Sequence, residues 1–211
     1  MGTVSILIVD DHQLIREGIK QILLKEFSEP VIGEAGNVIE VFRKIKEHKW
    51  NMIIMDINMP GRTGLDALKQ MKDENIKIPV LILSMHPEGM VAVRALKSGA
   101  AGYISKETVD TELIKAIQQI LNGKKYITAA VAEQLVTQIE QPTDKAPHEL
   151  LSDREFQTFL LIAAGKAVSQ IAKEHALSVA TVSTYRARIL EKMNMKTNAD
   201  LINYAIHNGL V

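Results

Sequence analysis

At 211 residues, with 46% hydrophobic and 24% charged side chains, the chain is long enough for one large domain or two smaller ones, and its composition argues against wholesale disorder. The absence of cysteine excludes disulfides, thiol catalysis and cysteine-ligated zinc. No apolar run approaches the roughly 20 residues of a membrane span, and the N-terminus lacks a basic region followed by a hydrophobic one, so a cytoplasmic protein without membrane attachment is expected.

Five short apolar runs read as buried parallel strands: Ser5–Asp10, Pro30–Glu34, Met52–Asp56, Val80–Ser84 and Gly102–Ser105. Segments of helical spacing lie between them. The first, near Gln13–Lys25, puts Leu14, Gly18, Ile22 and Leu23 on one side and Arg16, Glu17 and Lys20 on the other. Val38–His48, Leu65–Glu74, Gly89–Ser98 and Val109–Asn122 repeat the pattern. This alternation predicts an α/β doubly wound, five-stranded parallel sheet with right-handed crossovers.

In such a sheet the reactive rim is formed by the C-terminal ends of the strands. Asp10 and Asp11 end the first strand, Asp56 the third and Ser84 the fourth, and Lys106 follows the fifth. Singly, each has a bland reading, because an acid after a strand often caps the next helix and a lone lysine is usually solvated. Their coincidence on one rim favours chemistry. Three acids together repel one another unless a cation sits among them, and oxygen ligands suit Mg2+. Asp11 and Asp56 are the expected direct ligands, with Asp10 acting directly or through water and the backbone carbonyl of Asn58 completing the set. Asp56 is then the phosphoryl acceptor, Lys106 and Ser84 bind phosphoryl oxygens, and Pro60, Gly61 and Gly64 shape the turn beside them.

Val9-Asp10-Asp11-His12, the turn Asp56-x-x-Met59-Pro60-Gly61-x-x-Gly64, Leu83-Ser84 and Gly102-Tyr103-Ile104-Ser105-Lys106 together resemble a two-component response-regulator receiver, of flavodoxin-like fold, over residues 4–122. The resemblance implies phosphorylation of Asp56 by a cognate sensor histidine kinase. It also implies that Tyr103 is a switch residue, turning inward as Ser84 moves toward the phosphoryl group; the alternative is a half-buried strand aromatic. Glu107 stands where receivers often have proline, and His86, two residues after Ser84, borders the entry to the site. A rival is a phosphatase of the haloacid-dehalogenase type. That family needs a second acid two residues after the nucleophile, and here the position holds Asn58, which cannot protonate a leaving group.

Thr128–Gln138 is helical by composition, and Gln141–Pro147, polar and broken by two prolines, is the best domain boundary. The expected organisation is a receiver at 1–123, a linker with a helix at 124–147, and a small all-α domain at 148–211. Charge is distributed unevenly: residues 1–140 carry 17 basic and 18 acidic side chains and residues 150–211 carry 7 and 5, a weak pointer of the C-terminal part toward a polyanion. There Ser152 and Glu155 have capping-box spacing, Gly165 stops the first helix, and a short helix near Ala167–His175 follows. Ser178 caps a third helix running to about Asn194, with Val182, Tyr185, Ile189 and Met193 as its inner stripe, and a fourth spans about Asn198–His207. Four short helices with a tight second-to-third turn read as a helix-turn-helix domain.

Leu151-Ser152-x-Arg154-Glu155, Ile162-Ala163-x-Gly165-Lys166, Ile171-Ala172, Leu177-Ser178-x-x-Thr181-Val182 and Arg188-Ile189-Leu190-x-Lys192-Met193 resemble a LuxR-type helix-turn-helix. Joined to a receiver, the whole is similar to a transcriptional regulator of the NarL/FixJ family, not a dedicated enzyme beyond assisting its own phosphorylation and dephosphorylation. The resemblance implies binding to double-stranded DNA as a homodimer. Ser183, Thr184 and Ala187 would face base edges, with Thr181, Tyr185, Arg186, Arg188 and Lys192 near the backbone. Ala167 replaces the Ser or Thr that often starts the second helix, and Ser169 stands close by.

Overall fold

A computed structural model describes residues 3–85, 89–140, 146–175 and 177–211. It divides into two compact units, Met1–Leu135 and Val136–Val211. In the first, β1 (Ser5–Val9), β2 (Val31–Ala35), β3 (Met52–Asp56), β4 (Val80–Ser84) and β5 (Gly102–Ser105) alternate with α1 (Gln13–Glu26), α2 (Val38–Glu47), α3 (Gly64–Asp73), α4 (Met90–Lys97) and α5 (Val109–Leu121). All strand pairs are parallel, in the order β2-β1-β3-β4-β5. β1, β3 and β4 are buried along their whole length, which is why they read as unbroken apolar runs. At the edge, β2 starts at Val31, one residue later than predicted; Pro30 lacks the N–H that a ladder uses.

One face of the sheet packs Ile6, Ile8, Met52, Ile54, Leu81 and Leu83 against Ile19 and Leu23 of α1 and Leu113, Ala116, Ile117 and Ile120 of α5. Burying each such aliphatic side chain contributes about 1.5–3 kcal/mol. The predicted face of α1 is displaced: Leu14 is 87% exposed, while Ile19 and Leu23 are the buried positions. Ile19 and Leu23 are the α1 positions that pack on the apolar face of the sheet.

Tyr126, assigned above to the linker, instead belongs to this core. Its N–H donates to the Ala101 carbonyl at 2.9 Å and it bridges to Gly102, where an added Cβ would lie 2.9 Å from the Tyr126 Cβ. Its hydroxyl donates to Glu112. Chain beyond it forms α6 (Ala129–Glu140). Of the predicted boundary, residues 141–145 lie outside the described residues.

The second unit contains α7 (Asp153–Ala163), α8 (Val168–Glu174), α9 (Val179–Lys192) and α10 (Asn198–His207), preceded by a 3-10 turn at Pro147–Leu150. Phe156, Phe159, Leu160, Ile171, Val182, Ile189, Leu201 and Ala205 form its core. Ser152 and Glu155 make the predicted capping box, and Gly165 (φ 82°) and Asn194 (φ 53°) adopt the left-handed conformation that ends α7 and α9. His148, in the 3-10 turn, is buried with Nδ1 2.7 Å from the Tyr204 hydroxyl. This contact joins residues 56 apart in sequence and has no local signal.

Candidate functional site

Parallel register carries the ends of β1, β3, β4 and β5 to one rim. Val9 pairs with Met55, Asp56 with Leu83, and Ser84 with Ser105. Asp10 leaves the β1 ladder with its N–H on the Ala35 carbonyl at 3.2 Å. Asp10, Asp56 and Ser84 are all buried. Lys106 crosses to them: its ammonium lies 2.6 Å from Asp10 Oδ2 and 3.1 Å from Asp56 Oδ2. Lys106 opens a 3-10 turn, Lys106–Thr108, in which the Ser105 hydroxyl accepts from the Glu107 N–H at 3.3 Å. Among the described residues every peptide bond is trans, including the one preceding Glu107.

Burial drives the Asp56 carboxyl up to about 6, with the nearby Asp10 charge adding to the rise and Lys106 and the Asn58 N–H opposing it. For Lys106, burial favours loss of the proton, but the charges of Asp56 and Asp10 outweigh it and hold the ammonium above its ordinary value. Tyr103 is only 2% exposed, so the aromatic lies inward in this structure. His86 lies outside the described residues.

The turn after β3 depends on close backbone approach. The Gly64 N–H donates to the Ile57 carbonyl at 2.9 Å, and a Cβ on Gly64 would sit 2.4 Å from the Asp56 carbonyl oxygen. Gly61 has φ 78°, and Thr63 starts α3 with a reciprocal capping box to Asp66. These features hold Asp56 at the mouth of a fixed loop.

Three buried oxygens here have no hydrogen-bond partner: Asp11 Oδ1, Asp56 Oδ1 and Asn58 Oδ1. Buried acceptors left bare are costly, and an all-oxygen set fits a small hard cation such as Mg2+. Asp10 is differently committed. Its Oδ1 accepts the His12 N–H at 2.8 Å and its Oδ2 takes Lys106. Two neighbours escaped the sequence reading. His12 places Nδ1 3.0 Å from Asp11 Oδ1, and Arg16 donates to the Asp10 carbonyl at 2.7 Å while pairing with Glu34. Arg16 was assigned to the outer face of a helix, and nothing local distinguishes it from a solvated cation.

In the second unit α9 presents Ser183, Thr184, Ala187 and Arg188 as exposed residues, with Thr181, Tyr185 and Arg186 half-buried. Ser178 caps the helix through the Thr181 N–H at 3.0 Å, and its hydroxyl lies 2.8 Å from that of Thr181. The Thr184 hydroxyl donates back to the Ala180 carbonyl at 3.0 Å, which leaves its oxygen able to accept. Two cations on this helix are engaged within the unit. Arg186 donates to Asn198 Oδ1 at 2.6 Å, fastening α9 to the start of α10, and Lys192 donates to buried Glu155 at 2.6 Å. At α8, Ala167 has no acceptor side chain; Gln170 accepts the Ala167 N–H at 2.8 Å, and Ser169 is exposed.

Residues 6–118 match the response regulator receiver domain family, and residues 149–205 match the bacterial regulatory proteins of the luxR family. The response regulator UvrY of Escherichia coli K12 is 33% identical over 208 residues, covering 98% of this chain and 95% of that protein. The response regulator GacA of Pseudomonas syringae pv. syringae is 35% identical over 209 residues, covering 99% and 98%. A solved structure of RcsB from Salmonella enterica serovar Typhimurium, bound to a promoter in the presence of a phosphomimetic, is similar with a TM-score of 0.60. It is 25% identical and covers 96% of this chain and 98% of that one. The chain therefore belongs to the NarL/FixJ family of response regulators, phosphorylation-controlled transcription regulators that join a receiver to a LuxR-type DNA-binding domain.

Proposed function

We propose that Asp56 is the phosphoacceptor of a cytoplasmic two-component system and that its phosphorylation by a cognate sensor histidine kinase controls sequence-specific DNA binding by α9. The observation that carries this reading is the state of the Asp56 carboxylate: one oxygen is paired to Lys106 at 3.1 Å, and the other is buried without a partner at the rim. A carboxylate oxygen attacks phosphorus, the P–N bond of the donor phosphohistidine breaks, and its electron pair stays on the imidazole nitrogen. Lys106 exchanges its contact with Asp56 for a phosphoryl oxygen, and the Ser84 hydroxyl donates to another. Asp11, Asp56 and the backbone carbonyl of Asn58 would hold Mg2+, with Asp10 acting directly or through water, and a bound ion would supply neutralisation of charge on the incoming group. Tyr103 is the switch residue of this reading, its inward position accompanying movement of Ser84 toward the phosphoryl group.

Incubation with a small phosphodonor and Mg2+ tests the assignment. Asp56→Asn abolishes acid-labile, hydroxylamine-sensitive label, and Asp11→Ala keeps the nucleophile yet loses label through the metal. Label persisting on Asp56→Asn would remove Asp56 from the role.

On DNA, Ser183, Thr184 and Ala187 face base edges, while Thr181, Tyr185 and Arg188 lie near phosphates. Arg186 and Lys192 act there only by relinquishing Asn198 and Glu155. The small excess of two positive charges in residues 150–211 implies few phosphate contacts per protomer. High affinity then requires a homodimer on half-sites spaced by about one helical turn, roughly 34 Å. Arg188→Ala weakens all sequences alike and flattens the salt dependence, whereas Thr184→Ala erodes discrimination. Unchanged salt slope in Arg188→Ala would overturn the assignment of this face.

A further inference from the structure

We propose that Arg16 is a positioning residue for the end of β1: by holding the Asp10 carbonyl it fixes the peptide plane from which Asp11 departs, and so sets the affinity of the rim for Mg2+. The proposal rests on reading Asp11 and Asp56 as cation ligands and deepens it by naming what aims one of them.

Asp10 is the first residue beyond the β1 ladder, and all four of its polar atoms are engaged. Its N–H donates to the Ala35 carbonyl at 3.2 Å, its Oδ1 accepts the His12 N–H at 2.8 Å, and its Oδ2 takes Lys106 at 2.6 Å. Its carbonyl accepts from Arg16 Nη1 at 2.7 Å. A peptide unit is planar, so the Asp10 carbonyl and the Asp11 nitrogen turn together. A carbonyl pinned by Arg16 therefore pins the direction in which Asp11 leaves the strand.

Arg16 is itself anchored. Its Nε donates to Glu34 Oε2 at 3.1 Å, and Lys20 donates to Glu34 Oε1 at 3.2 Å. Glu34 lies on β2, opposite Ile8 of β1. The guanidinium, 17% exposed, thus joins α1 to the ends of two strands with the fixed donor fork that arginine provides. Burial pushes the Glu34 carboxyl up, but Arg16 and Lys20 outweigh it and hold the group below the usual carboxylate range, so the anchor is ionised at neutral pH.

Two other roles for Arg16 predict different outcomes. A guanidinium acting through its charge competes with a divalent cation, and removing it tightens Mg2+ binding. One that only satisfies a buried carbonyl supports stability and leaves the Mg2+ affinity of the folded chain unchanged. Positioning alone predicts weaker binding.

Isothermal titration of the full chain with Mg2+, paired with the NMR signal of the Asp10 carbonyl carbon, separates the three. In Arg16→Gln the carbonyl signal shifts and the Mg2+ dissociation constant rises on the order of tenfold. Arg16→Lys, which keeps the charge but replaces the fork with one flexible ammonium, lies between Arg16→Gln and wild type. Tighter Mg2+ binding in Arg16→Gln, or unchanged binding with only a lower urea midpoint, overturns the proposal. So does an Asp10 carbonyl signal identical to wild type in that variant. If Arg16→Gln does not fold, wild-type Mg2+ affinity in Arg16→Lys overturns it instead. Asp11→Asn tests the reading beneath: Mg2+ bound there as tightly as by wild type would overturn the cation site, and this proposal with it. Unchanged affinity in the Arg16 variants alone would leave that site standing.

Discussion

Gly64 shows how one missing atom sets a reactive group. Its hydrogen faces the Asp56 carbonyl oxygen across a gap where a Cβ would lie at 2.4 Å, and the obstructing atoms are backbone, which cannot swing aside. Gly64→Ala must displace either the loop or the end of β3, at a cost of about 1–3 kcal/mol. The expected outcome is a lowered urea midpoint, by that free energy divided by the denaturant slope, and slower labelling of Asp56 by a small phosphodonor. Wild-type labelling kinetics in a destabilised Gly64→Ala variant would show that the loop position is irrelevant to reactivity. Gly61, whose φ of 78° demands freedom rather than space, is a different case: there the strain is conformational.

At the scale of the element, the start of α7 is held from outside the helix. Glu155, buried, accepts from the Ser152 N–H at 2.8 Å and hydroxyl at 2.9 Å, and Lys192 from the end of α9 adds an ammonium at 2.6 Å. Burial alone would raise the Glu155 carboxyl, but Lys192 and the Ser152 donors outweigh it and hold the group below the usual carboxylate range. Because the folded value is depressed, the stabilisation is present above the unfolded value of about 4.3 and is lost as pH falls through the folded one. Lys192→Met should therefore cost about 1–2 kcal/mol at neutral pH, the screening of a 39% exposed lysine keeping it at the low end, and nothing once Glu155 is protonated. Urea unfolding of the variant at pH 7 and below pH 3 measures the difference. An equal loss at both would assign Lys192 to packing of its aliphatic stem instead.

At the scale of the whole molecule, the question is how phosphorylation of the receiver, at Asp56 in the reading proposed above, reaches α9, which is in the other compact unit. Two switches suit the family: release of a covered DNA-reading helix, or dimer formation by the receiver. A fragment distinguishes them, and its start matters, because His148 is buried on Tyr204 and must be retained. A chain beginning at Ala146 keeps that contact. If the unphosphorylated receiver covers α9 nine-tenths of the time, the fragment binds operator DNA about tenfold more tightly than the unphosphorylated full chain. Gel-shift titrations at equal concentration give the ratio, and equal or weaker binding by the fragment would assign the switch to dimerisation.

Much of the site was legible in the sequence because its geometry follows from local rules. A strand covered on both faces must be apolar throughout, and a parallel sheet aligns all C-terminal ends. Asp10, Asp56, Ser84 and Lys106 could therefore be gathered on one rim before any distance was known. Ser152, Ser178 and Gly165 likewise mark helix ends through bonds or backbone freedom spanning a few residues. What periodicity left open was orientation and allegiance. α1 buries Ile19 and Leu23 while leaving Leu14 in solvent, because the sheet chooses between two stripes that the helix itself does not rank. Tyr126 reads as linker until Gly102 provides space for it, and nothing adjacent to Lys192 in the chain shows that its ammonium reaches Glu155, 37 residues away. Such pairs depend on where separate elements meet, and that is fixed by packing of the core rather than by the residues adjacent in the chain.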